Sequence, residues 1–81
     1  MSTLAVELHP QAQNVSFSED SLIVELLDGR TVSTPLLWFP LLAKATPEQL
    51  MNWELLGDGE GIHWPDLDED LSIKGLLAGT H

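Results

Sequence analysis

Gly59-Glu60-Gly61-Ile62-His63-Trp64-Pro65-Asp66-Leu67-Asp68-Glu69-Asp70-Leu71-Ser72 joins a glycine-flanked turn, a short apolar run around one histidine, and the densest acidic cluster of the chain. Gly57-Asp58-Gly59-Glu60-Gly61 reads as a hairpin turn. Ile62-His63-Trp64 reads as the strand after it, with Ile62 and Trp64 entering the core, and Pro65 ends it because proline brings no N–H to a ladder. Trp53-Glu54-Leu55-Leu56 reads as the strand before the turn, which lets Trp53 and Trp64 pack across one sheet face. Ser72 can cap a last short helix in which Ile73, Leu76 and Leu77 recur at helical spacing, with Gly79 just past its end. On this reading Asp68, Glu69 and Asp70 lie immediately before the positive end of that helix, where a carboxylate is favoured by ~0.3–1 kcal/mol.

Upstream, Asn14-Val15-Ser16-Phe17-Ser18 alternates with period two, predicting a half-buried strand with Val15 and Phe17 inward. Leu22-Ile23-Val24-Glu25-Leu26-Leu27 predicts a second strand, with Leu22, Val24 and Leu26 on one face and a partly covered second face carrying Ile23 and Leu27. Asp28-Gly29 predicts a type I′ hairpin turn, and Arg30-Thr31-Val32-Ser33-Thr34 returns as a third strand. Pro40 falls in the first turn of a short helix ending near Ala45, since deeper in a helix it would break the bond ladder. Thr46, Pro47 and Gln49 form a helix start: a cap, a first-turn proline, and a residue that can reach back to the cap. That helix runs to about Asn52, with Leu50 and Met51 directed at the core. The fold class is therefore α+β: a small antiparallel sheet, a three-strand meander plus a later hairpin, with two or three short helices. Residues 14–79 form a single domain. Residues 1–13 are an N-terminal extension or edge strand, in which Leu4-Ala5-Val6-Glu7-Leu8 could pair before His9-Pro10 ends it.

The 81 residues carry a net charge of −10, and the basic residues are Arg30, Lys44 and Lys74. Direct nucleic-acid binding is disfavoured, because phosphate contacts rest on Lys and Arg that release counterions. The same charge suits a basic protein partner. With no cysteine, neither a disulfide framework nor a cysteine–zinc site can staple the domain. Its hydrophobic fraction of 43% is high enough for a packed core. No basic leader precedes an apolar run, and no stretch approaches the ~20 apolar residues that span a bilayer, so cytoplasmic residence without membrane contact is the default.

The acidic stretch invites chemical readings. Asp66, Asp68 and Asp70 have calcium-loop spacing, but Leu71 stands where such a loop needs glycine and Leu77 where it needs glutamate. A zinc site on His63 with Asp66 or Asp68 lacks a third ligand. His63 with Asp66 or Asp68 could form an acid–base dyad, but no nucleophile accompanies it. The repeated glycines at 57, 59 and 61 lack the lysine, hydroxyl residue and following helix of a phosphate loop. No metal, cofactor or catalytic residue is assigned.

The runs Asp28-Gly29-Arg30-Thr31, Pro35-Leu36, Trp38-Phe39-Pro40, Ala45-Thr46-Pro47-Glu48, Asn52-Trp53, Gly59-Glu60-Gly61-Ile62-His63-Trp64-Pro65, Leu67-Asp68-Glu69-Asp70 and Gly75-Leu76-Leu77-Ala78-Gly79 resemble the bacterial domain-of-unknown-function 2442 family. The resemblance covers residues 14–79 and is most specific in the final third. It implies a small α+β domain without an established activity. Members often resemble the antitoxin-like half of small gene pairs, with a neighbour from the domain-of-unknown-function 4160 family; some carry a helix-turn-helix after the domain. Leu41 and Leu50 depart from the pattern, standing where members often have arginine.

The expected function is a non-enzymatic, antitoxin-like protein-binding module. It docks a basic, toxin-like partner from a neighbouring gene through His63, Trp64, Asp66, Asp68, Glu69 and Asp70. The alternatives are an acidic nucleic-acid-mimic decoy, a small enzyme using His63 and Asp68, and a homodimeric structural module.

Overall fold

A computed structural model describes residues 10–78. The strand considered at Leu4-Ala5-Val6-Glu7-Leu8 and the helix-terminating Gly79 lie outside the described residues. Strands β1 (Ala12–Phe17), β2 (Ser21–Leu26) and β3 (Thr31–Pro35) form an antiparallel meander in that order. A 3-10 turn (Leu36–Trp38) and helices α1 (Pro40–Ala43) and α2 (Pro47–Met51) follow. Strands β4 (Glu54–Leu56), β5 (Gly61–Trp64) and β6 (Glu69–Ser72) form a second antiparallel meander, and helix α3 (Ile73–Ala78) closes the described chain. The α+β class is as expected, with a second three-stranded sheet where the sequence indicated only a hairpin.

The first meander follows its hydrophobic alternation. Leu22, Val24 and Leu26 are buried, and Val24 sits between Val15 on β1 and Val32 on β3. Val15 is buried, Phe17 packs half-buried against the core, and β1 begins at Ala12 rather than Asn14. On the opposite face Ile23 is half-buried, whereas Leu27 is exposed. The β2–β3 turn is not type I′. Gly29 has φ of 97°, Asp28 is not in the left-handed region, and the Gly29 N–H donates to the Leu26 carbonyl. Only glycine needs positive φ in this three-residue form, because the bulge at its end restores the strand twist. The Asp28 carboxylate then accepts from both the backbone and the guanidinium of Arg30.

The helical segment obeys its local signals. Pro40 opens α1. Thr46 caps α2 in a complete capping box: its hydroxyl accepts from the Gln49 N–H while the Gln49 side chain accepts from the Thr46 N–H. Leu50 packs against the core, but Met51 is 67% exposed. Neighbouring residues on a helix are about 100° apart, so this short element cannot turn both inward.

The largest correction falls on the acidic run. Glu69 and Asp70 are not free helix-start residues; they belong to β6, which pairs with β5 through Gly61↔Ser72, Ile62↔Leu71, His63↔Asp70 and Trp64↔Glu69. Ser72 does cap α3, its hydroxyl accepting from the Gly75 N–H at 2.9 Å. The helix start therefore comes directly off a strand end, and the carboxylates sit one element earlier than expected.

The two sheets meet at β1. The Ala12 N–H donates to the Gly59 carbonyl at 2.7 Å, and the Gln11 amide donates to the Asp58 carbonyl at 2.9 Å. Gly59 is buried with φ of 93°, and a Cβ there would stand 2.5 Å from the Ala12 carbonyl oxygen. Gly57 also has positive φ, yet a Cβ there would meet nothing within 4 Å. Gly59→Ala should therefore cost about 3 kcal/mol in denaturant unfolding, from backbone strain plus the displaced contact, against about 1 kcal/mol for Gly57→Ala. Equal costs would show that the approach of the turn to β1 does not hold the sheets together.

Candidate functional site

The register of the second sheet sorts its residues onto two faces. Leu55, Ile62 and Leu71 lie opposite one another and pack into or against the core. Glu54, His63 and Asp70 form the adjacent row across β4, β5 and β6, on the other face. This row is carboxylate, imidazole, carboxylate.

His63 is held by Asp70. Its Nδ1 bonds to Oδ1 of Asp70, and since an ionised carboxylate only accepts, Nδ1 carries the proton. This hydrogen bond is the main cause that raises the His63 pKa above its ordinary value; the charges of Asp70, Glu54 and Asp68 add to it, and partial desolvation opposes it. The imidazole side chain is 25% exposed and the Asp70 side chain 66%. The expected dyad partners, Asp66 and Asp68, are therefore replaced by Asp70, because β6 places it directly across from His63.

The other sequence-selected residues divide. Asp68 closes the β5–β6 turn, exposed, with φ of 52°, a conformation that Asp tolerates better than most side chains. Asp66 accepts from the Asn52 side-chain amide at 3.0 Å, tethering the turn to the end of α2. Glu69 is half-buried, lies opposite Trp64, and accepts from the Asp70 N–H. Trp64 is fully buried and offers no ring surface to a partner. Its indole N–H donates to the Leu50 carbonyl at 3.0 Å, and its ring meets Phe17 edge-on with centroids 6.4 Å apart. The aromatic neighbour of Trp64 is thus Phe17 rather than the expected Trp53, which is half-buried against the core. Glu54 joins the site without having been selected from sequence; its only signal is its register opposite His63. Among the described residues, no group of three or more His, Cys, Asp or Glu side chains could hold a metal ion. Of the two leucines at arginine-prone positions, Leu41 is exposed and Leu50 packs against the core.

Comparison with known proteins fits this architecture. Residues 12–81 match the family described as Protein of unknown function (DUF2442). The chain belongs to this family. Two solved structures are similar to this DUF2442 chain. One is a protein of unknown function from Rhodospirillum rubrum ATCC 11170, with 38% identity, 88% of each chain covered and a TM-score of 0.76. The other is an uncharacterised protein from Chromobacterium violaceum, determined by solution NMR, with 26% identity, 98% of this chain and 86% of that chain covered, and a TM-score of 0.73. No curated protein matches the chain. Among the described residues, no helix is long and apolar enough to cross a membrane.

The raised His63 pKa fixes a sign. A histidine bound more strongly when protonated contributes stability that is fully present below its unfolded pKa of about 6.5 and is lost as pH rises through the folded value. An NMR titration of the His63 ring should give a midpoint above that of an unstructured histidine, returning toward it in Asp70→Asn. An unchanged midpoint in that variant would contradict the assigned pairing.

Proposed function

We propose that this DUF2442 chain is a non-enzymatic, antitoxin-like protein-binding module that docks a basic protein encoded by a neighbouring gene. The observation that carries the proposal is the row Glu54–His63–Asp70, with Asp68 at its end, presented on one face of a three-stranded sheet. The rigid sheet fixes the spacing of these charges, and the overall charge of −10 steers a cationic surface toward them. His63, Asp68 and Asp70 make the contact surface, Glu54 extends it, and Asp66 and Glu69 set the shape of the turn. Trp64 supports the turn from beneath.

A homodimeric structural module is the second reading. It is favoured by Leu37, 85% exposed, and the exposed Leu41, within a stretch from residue 31 to 43 that holds no charged side chain. A dimer through that stretch would keep the acidic faces apart. Sedimentation at two concentrations separates it from the first reading.

Glu54→Gln combined with Asp68→Asn leaves the His63–Asp70 bond in place. It should weaken binding of the basic neighbour on the order of tenfold, chiefly through the on-rate, with little change in melting temperature. Raising salt beyond ~0.15 M should shrink the difference between variant and parent. Unchanged affinity at low salt would refute the proposed surface.

A further inference from the structure

Beside the acidic turn lies a groove that the charge reading does not use. Phe17, Ser18, Pro47, Leu50 and Met51 line it, with a volume of about 280 Å³. This part of the groove is smaller than most small-molecule sites, which span about 300–1,000 Å³, and fits a single apolar side chain. Past Pro47 and Met51 it continues as an open depression bordered by Glu48 and Asn52. Asn52 is the residue whose amide holds Asp66. The groove therefore runs from the end of β1, across α2, to the start of the acidic turn.

Two observations give it a direction. Met51 is largely exposed on the groove wall, and methionine is an adaptable lining for apolar side chains. None of Arg30, Lys44 and Lys74 lines the groove, whereas Glu48 does and Asp66 is tethered at its far end. An apolar trough that ends in carboxylates complements one kind of segment: an apolar side chain followed by a cation.

We infer that the groove receives an apolar anchor, a Leu or Met, from a partner segment whose adjacent Arg or Lys reaches the turn at Asp66 and Asp68. This rests on the basic-partner reading and adds the element that reading lacks. Charges on an exposed face steer association, while a buried apolar anchor slows dissociation. Phe17 and Leu50 both contact Trp64, so the anchor slot and the acidic turn share one support.

The test uses the whole chain and two short synthetic peptides, one with a central leucine flanked by arginines and one with serine in its place. Binding is followed by amide chemical shifts at low salt. The leucine peptide should shift Phe17, Ser18, Leu50 and Met51 together with residues 66–70, and bind about tenfold more tightly than the serine peptide, the factor for burying most of one leucine. Met51→Ser should abolish that preference; Met51 is exposed, so the variant folds. Equal binding of the two peptides, with shifts confined to residues 63–70, overturns the groove and leaves the acidic surface standing. A leucine preference with the affinity for both peptides unchanged in Glu54→Gln with Asp68→Asn upholds the groove and removes the electrostatic reading. No shift with either peptide overturns both.

Discussion

Trp64 is the side chain on which the two halves of the molecule depend. It comes from the second sheet, meets Phe17 from the first, and donates its indole proton to the backbone of α2. The Trp64 side chain is fully buried, so its loss would remove a large share of the packing between the two sheets together with its hydrogen bond to Leu50. A domain of this size buries only ~60% of its unfolded surface, so one large aromatic carries much of the junction. The close approach of Gly59 to Ala12 performs the same task at the other end of β5, with backbone instead of side chain.

This junction determines what the acidic stretch can do. With Trp64 pointing inward, strand alternation turns His63 outward between Glu54 and Asp70. Carboxylates on either side of one imidazole favour its protonated form, and that form in turn eases the repulsion they would otherwise exert on each other. The face is thus an ordered array of charges rather than a loose acidic tail. Asp66, two residues past Trp64, is diverted into holding the turn against Asn52 at the end of α2, the residue that also borders the groove.

Much of this was legible because it is local. Pro40, Thr46, Gln49 and Ser72 act through neighbours within one turn of chain, and each does what its residue type favours. Leu22, Val24 and Leu26 announce their face by period alone. The misreadings come from long-range pairing. Glu69 and Asp70 are poor strand formers in isolation, and the adjacent cap at Ser72 made them look like helix-start acids; pairing with β5 overrode both signals. Once that strand was missed, the partner of His63 could not be chosen correctly, and Glu54 had no reason to be noticed. Met51 was misplaced because two adjacent apolar residues on a five-residue helix give no period from which to pick the inner one.

The central claim is that the hairpin of β5 and β6 is the surface a basic partner covers. Hydrogen exchange of the chain with and without the basic protein proposed as its partner addresses this directly. The account predicts slowed exchange concentrated in residues 63–70 and at Leu50 and Met51, with residues 36–43 unaffected. Slowed exchange confined to residues 36–43, with the hairpin unchanged, would contradict it.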